Sequence, residues 1–426
     1  MTLEQTVVAQ AVVAQARKAR AAGRKLGTMS RTAKDGALTQ LATLLRAEAA
    51  NPESRVLAAN ARDMTAAEKR GQNRAFLDRL RLDAARLRDM ADSCDAVALL
   101  PDPVGEVTRA WRRPNGLEIA VRRVPLGVVG IIYEARPNVT IEVASLCLKS
   151  GNACVLKGGS DGLESNRALV ALLHAAGAAH GLPAGFAEFV DSADRAAVTA
   201  LLHQEAYIDV IVPRGGESLI RAVVEESRIP VIRQYKGVCH TFVDETADLE
   251  MARRIAVNAK VSKPSACNAM ETLLVHRAIA AAFLPAVAAD LTAQGVELRG
   301  CARTLALVPT ARPASPEDWD TEHLDLILGV HVVDDLDAAL EHIALHGTLH
   351  SEAIVTRDVQ RARRFQEEVD AAAVYVNAST RFTDGFQFGF GAEVGISTGK
   401  LHSRGPMGLE DLTTRKYVVW GDGQTR

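Results

Sequence analysis

The sequence predicts an α/β protein with two parallel-sheet domains and an added β element. Three observations predict it. Residues 2 to about 100 carry apolar residues at helical spacing. From 125 to about 235, and again from about 240 to 375, short apolar runs alternate with helical ones, the rhythm of βαβ units. Two further strand-like stretches, one around an Asn-Gly turn and one near residue 415, belong to neither rhythm.

Composition narrows the class. The 426 residues suggest roughly two to three domains. Hydrophobic residues reach 48%, ample for sizeable cores, while aromatics are only 4%, so Ala and Val fill most apolar positions. A net charge of −2 leaves no field to attract nucleic acid or an anionic membrane. Met1 leads straight into Thr2-Leu3-Glu4-Gln5, so no signal peptide is expected. No apolar run approaches the roughly 20 residues of a membrane span. The expectation is a soluble cytoplasmic protein. Its six cysteines are scattered, which argues against a disulfide framework and a zinc site. The histidines at 323, 331, 342 and 346 form no metal spacing, and no metal is expected.

The helical region opens the chain. Leu38, Leu41, Leu44 and Leu45 mark one apolar face, with Asp35 as the expected N-cap before it. Asn51-Pro52-Glu53 reads as a turn and the next helix start, and Arg79 to Arg88 as a solvated helix face. The character changes at Pro101-Asp102-Pro103. Glu106–Arg113 and Leu117–Val124 flank Pro114-Asn115-Gly116, a β-hairpin signature. Its alternation is polar on one face, so it projects from the body as a subunit contact or as decoration.

Strands follow at Val128–Tyr133, Ala153–Lys157, Phe186–Val190 and Ile208–Val212, with helices at Thr140–Ser150 and Glu164–Gly181. The second unit opens with His240–Val243. The last strand-like run is Arg415–Trp420.

One cysteine stands out. The helical run Leu249–Lys260 ends before Pro264, and Cys267 follows in a short polar turn that leads into the apolar run Glu271–Val275. A thiol between a helix end and a strand can face a cleft with its backbone N–H exposed. Lys260 and Lys263 are expected to favour the thiolate, the reactive form. Cys267 is therefore the candidate nucleophile, although a lone cysteine more often packs as a small hydrophobe. Cys147 and Cys154 sit in apolar runs and read as core, and Cys94, Cys239 and Cys301 stand apart from any partner motif.

Parallel sheets bind ligands at the carboxyl ends of their strands. Two glycine loops fall there: Lys157-Gly158-Gly159-Ser160 and Pro213-Arg214-Gly215-Gly216-Glu217-Ser218. Glycine lets backbone approach a phosphate, and a helix N-terminus favours negative charge. Lys157 and Ser160 suit an adenosine ribose or a 2′-phosphate. Either loop alone is equally an ordinary tight turn, and no GxGxxG follows a strand.

The ordered strings Gly130-Ile131-Ile132-Tyr133-Glu134-Ala135-Arg136-Pro137-Asn138-Val139-Thr140, Leu156–Ser160, Pro213–Gly216, Cys267–Val275, His346–Ile354, Phe390–Thr398 and Arg404–Leu409 resemble the gamma-glutamyl phosphate reductases of the aldehyde dehydrogenase superfamily. The resemblance covers nearly the whole chain. It implies an aldehyde dehydrogenase-like fold in three parts: an NADP-binding domain of residues 1–105 and 125–239, a catalytic domain of residues 240–385, and an oligomerisation hairpin and C-terminal strand of residues 106–124 and 395–426. It implies Cys267 as nucleophile and Asn138 as the side-chain donor to the oxyanion. Lys157, Gly158, Ser160, Gly215, Gly216 and Glu322 would contact the NADPH/NADP cofactor. Leu324 stands where the superfamily usually carries an aromatic, which loosens the alignment of Glu322. Asn377, Ser379 and Arg381 lie where the superfamily binds substrate carboxylates; Arg136 either adds charge there or anchors its loop, and Arg381 is equally a surface residue.

The implied activity is NADPH-dependent reduction of L-glutamyl 5-phosphate to L-glutamate 5-semialdehyde, through a Cys267 thioester, as the second step of proline biosynthesis. This would make the chain an NADP-dependent, phosphorylating glutamate-5-semialdehyde dehydrogenase. The alternative is a hydrolytic NAD(P)-dependent aldehyde dehydrogenase. Such enzymes need a glutamate to activate water, and the corresponding stretch Arg233–His240 has no acid, with Gln234 near the position. The expected partners are a small-molecule substrate, further copies of the chain in a homo-oligomer, and a transient contact with glutamate 5-kinase, suggested by the lability of an acyl phosphate.

Overall fold

The structure, a computed structural model, describes residues 3–426. It divides into two compact units. Among the described residues, the first comprises residues 3–233, 389–395 and 407–426; the second comprises residues 234–388 and 396–406.

The first unit begins with five helices: α1 (Leu3–Leu26), α2 (Arg31–Ala50), α3 (Arg55–Lys69), α4 (Arg74–Leu80) and α5 (Ala84–Leu99). The hairpin strands β1 (Val107–Arg112) and β2 (Glu118–Pro125) follow. Next come β3 (Val128–Tyr133), α6 (Pro137–Lys149), β4 (Ala153–Gly158), α7 (Leu163–Ala179), β5 (Ala187–Phe189), α8 (Ala196–Leu202), β6 (Val210–Arg214) and α9 (Glu217–Glu226). The four strands β3 to β6 form a parallel sheet in the order β5-β4-β3-β6. Every residue of β3 and β4 is buried, which explains why they read as continuous apolar runs rather than alternating ones. Arg20 of α1 binds Asp209 through two hydrogen bonds of 2.8 and 2.9 Å, and the same carboxylate accepts from Val128 N at 2.7 Å. One acid thus ties the first helix to the start of the central strand.

Two helix starts differ from the sequence expectation. Ser30, not Asp35, caps α2, because its hydroxyl reaches Ala33 N. Asp35 lies a turn inside the helix, where it accepts from Arg31 at 2.9 Å and pairs with the buried Lys149. Helix α6 starts at Pro137 rather than Thr140, since proline is pre-organised for a first helical position.

The second unit contains β7 (Cys239–Val243), α10 (Leu249–Val261), β8 (Met270–His276), α11 (Arg277–Ala293), β9 (Glu297–Gly300), α12 (Ala302–Leu307), β10 (Arg312–Pro313), β11 (Ile327–Val333), α13 (Leu336–His346), β12 (Ser351–Val355), α14 (Val359–Glu368) and β13 (Ala373–Val376). Its seven strands are parallel in the order β10-β9-β11-β8-β7-β12-β13. Apolar clusters cover both faces: one includes Met270, Leu273, Phe283 and Val330, and the other Phe242, Leu274, Ile354 and Phe365. The short pair β14 (Ile396–Ser397) and β15 (Gly405–Pro406) also lies in this unit, although the sequence grouped it with the final strand.

That final strand, β16 (Thr413–Trp420), pairs antiparallel with β2 along its length, giving a three-stranded sheet β1-β2-β16 in the first unit. Gly116 closes the hairpin at φ +89°, a left-handed turn conformation that favours glycine. Tyr417, Val419 and Trp420 are exposed on β16.

Candidate active site

Helix α10 is capped by Asp248, whose side chain accepts from Met251 N at 3.0 Å. Thirteen residues later it stops, and residues 262–269 turn back into β8. Ala266 N donates to Lys263 O at 3.1 Å and Ala269 N to Ala266 O at 2.9 Å. Cys267 lies within the second of these turns and is half-buried. Its neighbour Asn268 anchors the turn from below. The Asn268 amide donates to Thr383 O at 2.8 Å, and its carbonyl accepts from Thr380 at 2.7 Å. Cys147 and Cys154 lie in the first unit's core.

Lys260 does not serve as expected. It is fully buried and pairs with Glu271 at 2.7 Å, so its charge is already met inside the fold. Burial pushes the Glu271 carboxyl up to about 7, and burial lowers the Lys260 ammonium. Lys263 is exposed, where solvent screens it. The other oxygen of Glu271 accepts from Leu324 N at 3.3 Å, and Leu324 has φ +54°. The Lys260–Glu271 pair therefore fixes the loop that carries Glu322.

Glu322 accepts from Gly237 N at 2.9 Å. Gly237 runs so close to the Cys267 peptide that any side chain there would overlap the Cys267 carbonyl. Sequence reading attended to residues 233–240 only for a missing acid. It passed over Gly237, although a glycine just before a strand is the usual sign of close backbone approach. Cys239, which looked isolated, lies with its sulfur 3.3 Å from the Cys267 carbonyl oxygen.

The 377–383 segment is committed mostly to structure. Asn377 has φ +57° and uses both side-chain atoms on the Thr356 backbone, at 2.9 and 3.0 Å. Ser379 caps the short helical turn Thr380–Phe382. Arg381 Nε donates to Ser262 at 3.1 Å, which leaves its terminal nitrogens for other partners.

In the first unit, the carboxyl ends of β3, β4 and β6 collect the expected cofactor residues. Gly215 and Gly216 wrap the Glu134 side chain, which accepts from Gly216 N at 3.1 Å. Gly216 is the N-cap of α9, so the Glu134 carboxylate stands at the start of that helix. Ser160 is exposed at the start of a short turn. Gly158 has no room for a side chain against Asn166 and Tyr133. Arg136 precedes α6, and Asn138 lies in that helix's first turn, donating one of its two N–H groups to Glu142 at 2.9 Å.

Lys157 differs from the other buried lysines. Lys34, Lys149 and Lys260 each meet a carboxylate, whereas Lys157 has only the Gly158 carbonyl at 2.6 Å and, among the described residues, no carboxylate. Burial alone pulls its pKa down. A buried cation without a counter-charge at a strand end fits the phosphate or ribose of a nucleotide.

Residues 4–299 match the Aldehyde dehydrogenase family, well over half of the chain, and the protein belongs to that family. It is an oxidoreductase of the kind that uses a nicotinamide cofactor. A gamma-glutamyl phosphate reductase from Moorella thermoacetica is 56% identical over 419 residues, covering 98% of this chain and 99% of its own. The crystal structure of a gamma-glutamyl phosphate reductase from Thermotoga maritima superposes with a TM-score of 0.95 at 46% identity, over 97% of this chain and 99% of that one. Such identity over nearly the full length of both chains makes this protein a member of the gamma-glutamyl phosphate reductase family. An acetylating aldehyde dehydrogenase from Geobacillus thermoglucosidasius, 18% identical with a TM-score of 0.70, shares the fold alone. Among the described residues, no helix is long and apolar enough to cross a membrane.

Proposed function

We propose that this enzyme reduces L-glutamyl 5-phosphate to L-glutamate 5-semialdehyde with release of phosphate, using NADPH, in proline biosynthesis. The observation that carries the reading is the 56% identity to a gamma-glutamyl phosphate reductase over 419 residues. The held turn around Cys267 supports it.

The Cys267 thiolate attacks the acyl carbon, phosphate departs with the bonding electrons, and a thioester remains on the sulfur. The Cys267 N–H holds the developing oxyanion; on the family pattern alone, the second Asn138 N–H joins it. One such donor is typically worth about 10²–10³ in rate. The nicotinamide cofactor, when bound, supplies the hydride that reduces the thioester. On the family pattern, Lys157, Ser160, Gly158, the Gly215-Gly216 turn and Glu322 would hold it. Collapse of the thiohemiacetal returns the thiolate and frees the aldehyde. No step in this direction needs activated water, in keeping with the absence of an acid at residues 233–240. Arg136 and Arg381 are the candidates for the substrate's carboxylate, with Asn377 and Ser379 shaping the loop.

The enzyme works in the cytoplasm as a homo-oligomer. The exposed edge of β16, with Tyr417, Val419 and Trp420, supports the oligomer, because such an edge invites pairing. A transient contact with glutamate 5-kinase would shield the labile acyl phosphate.

The test is the reverse reaction: semialdehyde and NADP⁺, followed by NADPH absorbance with and without phosphate. Phosphate-dependent NADPH formation is expected; equal rates without phosphate would mean that water takes the thioester. Cys267→Ala should abolish turnover, and appreciable residual turnover would remove the covalent route.

A further inference from the structure

Residues 236–239 run as a strap beside the nucleophile's peptide, and each is tied down separately. Lys236 Nζ donates to Asp320 O at 2.6 Å, Gly237 N to Glu322 at 2.9 Å, and Val238 N to Thr348 Oγ1 at 2.9 Å. The fourth residue, Cys239, is fully buried at the first position of β7. Its thiol donates to the Cys267 carbonyl at 3.3 Å. Nδ1 of His350 lies 3.7 Å from the same sulfur. From there a chain of hydroxyls continues: His350 to Ser351 at 2.8 Å, Ser351 to Thr383 at 2.6 Å, and Thr383 to Tyr375 at 2.7 Å.

We propose that Cys239 is a positioning residue for the nucleophile, its thiol fixing the peptide that follows Cys267. The proposal rests on Cys267 being the nucleophile. The peptide on the far side of Asn268 is already held by Thr380, and the Asn268 side chain by Thr383. The Cys267–Asn268 peptide lies between that clamp and the reactive residue. Its rotation would swing the thiol and the oxyanion-binding N–H together, and a misplacement of about 1 Å can cost about 10²-fold. Glycine at 237 lets the strap approach this carbonyl, and the Cys239 thiol then reaches it. A donor must keep its proton. Burial, with Glu352 nearby, holds the Cys239 thiol well above the usual cysteine range, so it remains S–H while an accessible thiol ionises.

The experiment compares wild type, Cys239→Ala, Cys239→Val and Cys239→Ser. Two quantities are read: steady-state kinetics of the reverse reaction, and the iodoacetamide alkylation rate of the Cys267 peptide across pH by mass spectrometry. Cys239→Ala and Cys239→Val should lower kcat and the limiting alkylation rate about five- to tenfold, with KM values held within about twofold. Cys239→Ser keeps a donor and should recover most of both rates. The valine variant fills the sulfur's volume, so it carries the test if the alanine variant does not fold. Wild-type rates in both donor-free variants would overturn the proposal. So would equal impairment of the serine variant, which would make the sulfur mere packing. Cys267→Ala run alongside separates the two layers. Turnover in that variant removes the nucleophile reading and this proposal with it; its inactivity beside unimpaired donor-free Cys239 variants removes only the Cys239 role.

Discussion

Lys260 and Lys157 are both buried lysines next to regions where the sequence expects chemistry, and their surroundings are opposite. Lys260 meets Glu271 at 2.7 Å, and the pair fixes a loop. Among the described residues, Lys157 meets only its neighbour's carbonyl. Desolvating a charge is expensive wherever it happens. In the first case the fold itself supplies the counter-charge, and the lysine is structural. In the second the fold supplies no carboxylate among the described residues, and under the proposed function the cofactor would supply the counter-charge.

The strongest way to break this contrast is to remove Lys260. Lys260→Met leaves Glu271 buried alone and should destabilise the protein by about 3–5 kcal/mol in urea unfolding. The double variant Lys260→Met/Glu271→Leu should recover most of the loss. A single-variant cost near the ~1 kcal/mol of an exposed pair would mean that the pair is not structural.

His342 offers a third solution to the same problem. It lies among His240, His331, His346 and Trp319, and burial, reinforced by the three other rings, pushes it down to about 2. It meets no carboxylate but another imidazole, with His331 Nδ1 3.2 Å from its own Nδ1, and gives up its charge. Folded, it stays neutral down to about pH 2; unfolded, it takes a proton below about 6.5. The unfolded chain binds more protons across that window, so stability falls as pH drops below 6.5. At about pH 5 the loss is roughly 2 kcal/mol. His342→Phe should flatten the acid limb of a stability–pH profile by that amount. An unchanged slope would show that the ring accepts its proton in the folded state.

The smallest effect sharpens the other side. Lys157→Met should raise the KM for NADPH about tenfold, near 1.4 kcal/mol, affect NADH less, and leave stability unchanged or higher. A large stability loss with unchanged cofactor affinity would put Lys157 with the structural lysines.

Much of the fold was legible because β3 and β4 are continuous buried runs and the segments between the strands are long enough and periodic enough to be helices. The turn that carries Cys267 was legible because a helix breaks there into polar residues before a strand. The surroundings were not. Glu271 is eleven residues from Lys260 and looked like the first residue of an apolar strand; nothing local says that a strand acid will face a helix lysine. Asp35 looked like a cap because capping chemistry is shared by several residue types, and Ser30 was better placed. Cys239 looked isolated because its partner is a backbone carbonyl 28 residues away. Asn377 carried the composition of a binding loop but spends both side-chain atoms on Thr356.

The pairing of β16 with β2 bears on how the molecule is made. Ala392, Val394, Leu409 and Leu412 complete the first unit's core, and Thr413 pairs with Pro125. On a ribosome adding about 5–20 residues per second, strand β2 emerges roughly 15–60 s before its partner. Throughout that interval the second unit is being synthesised and can close its own sheet, while the first must wait with an unfinished edge. The unit whose strands are made earlier is therefore the last to mature. That waiting edge is where a chaperone has the most to protect.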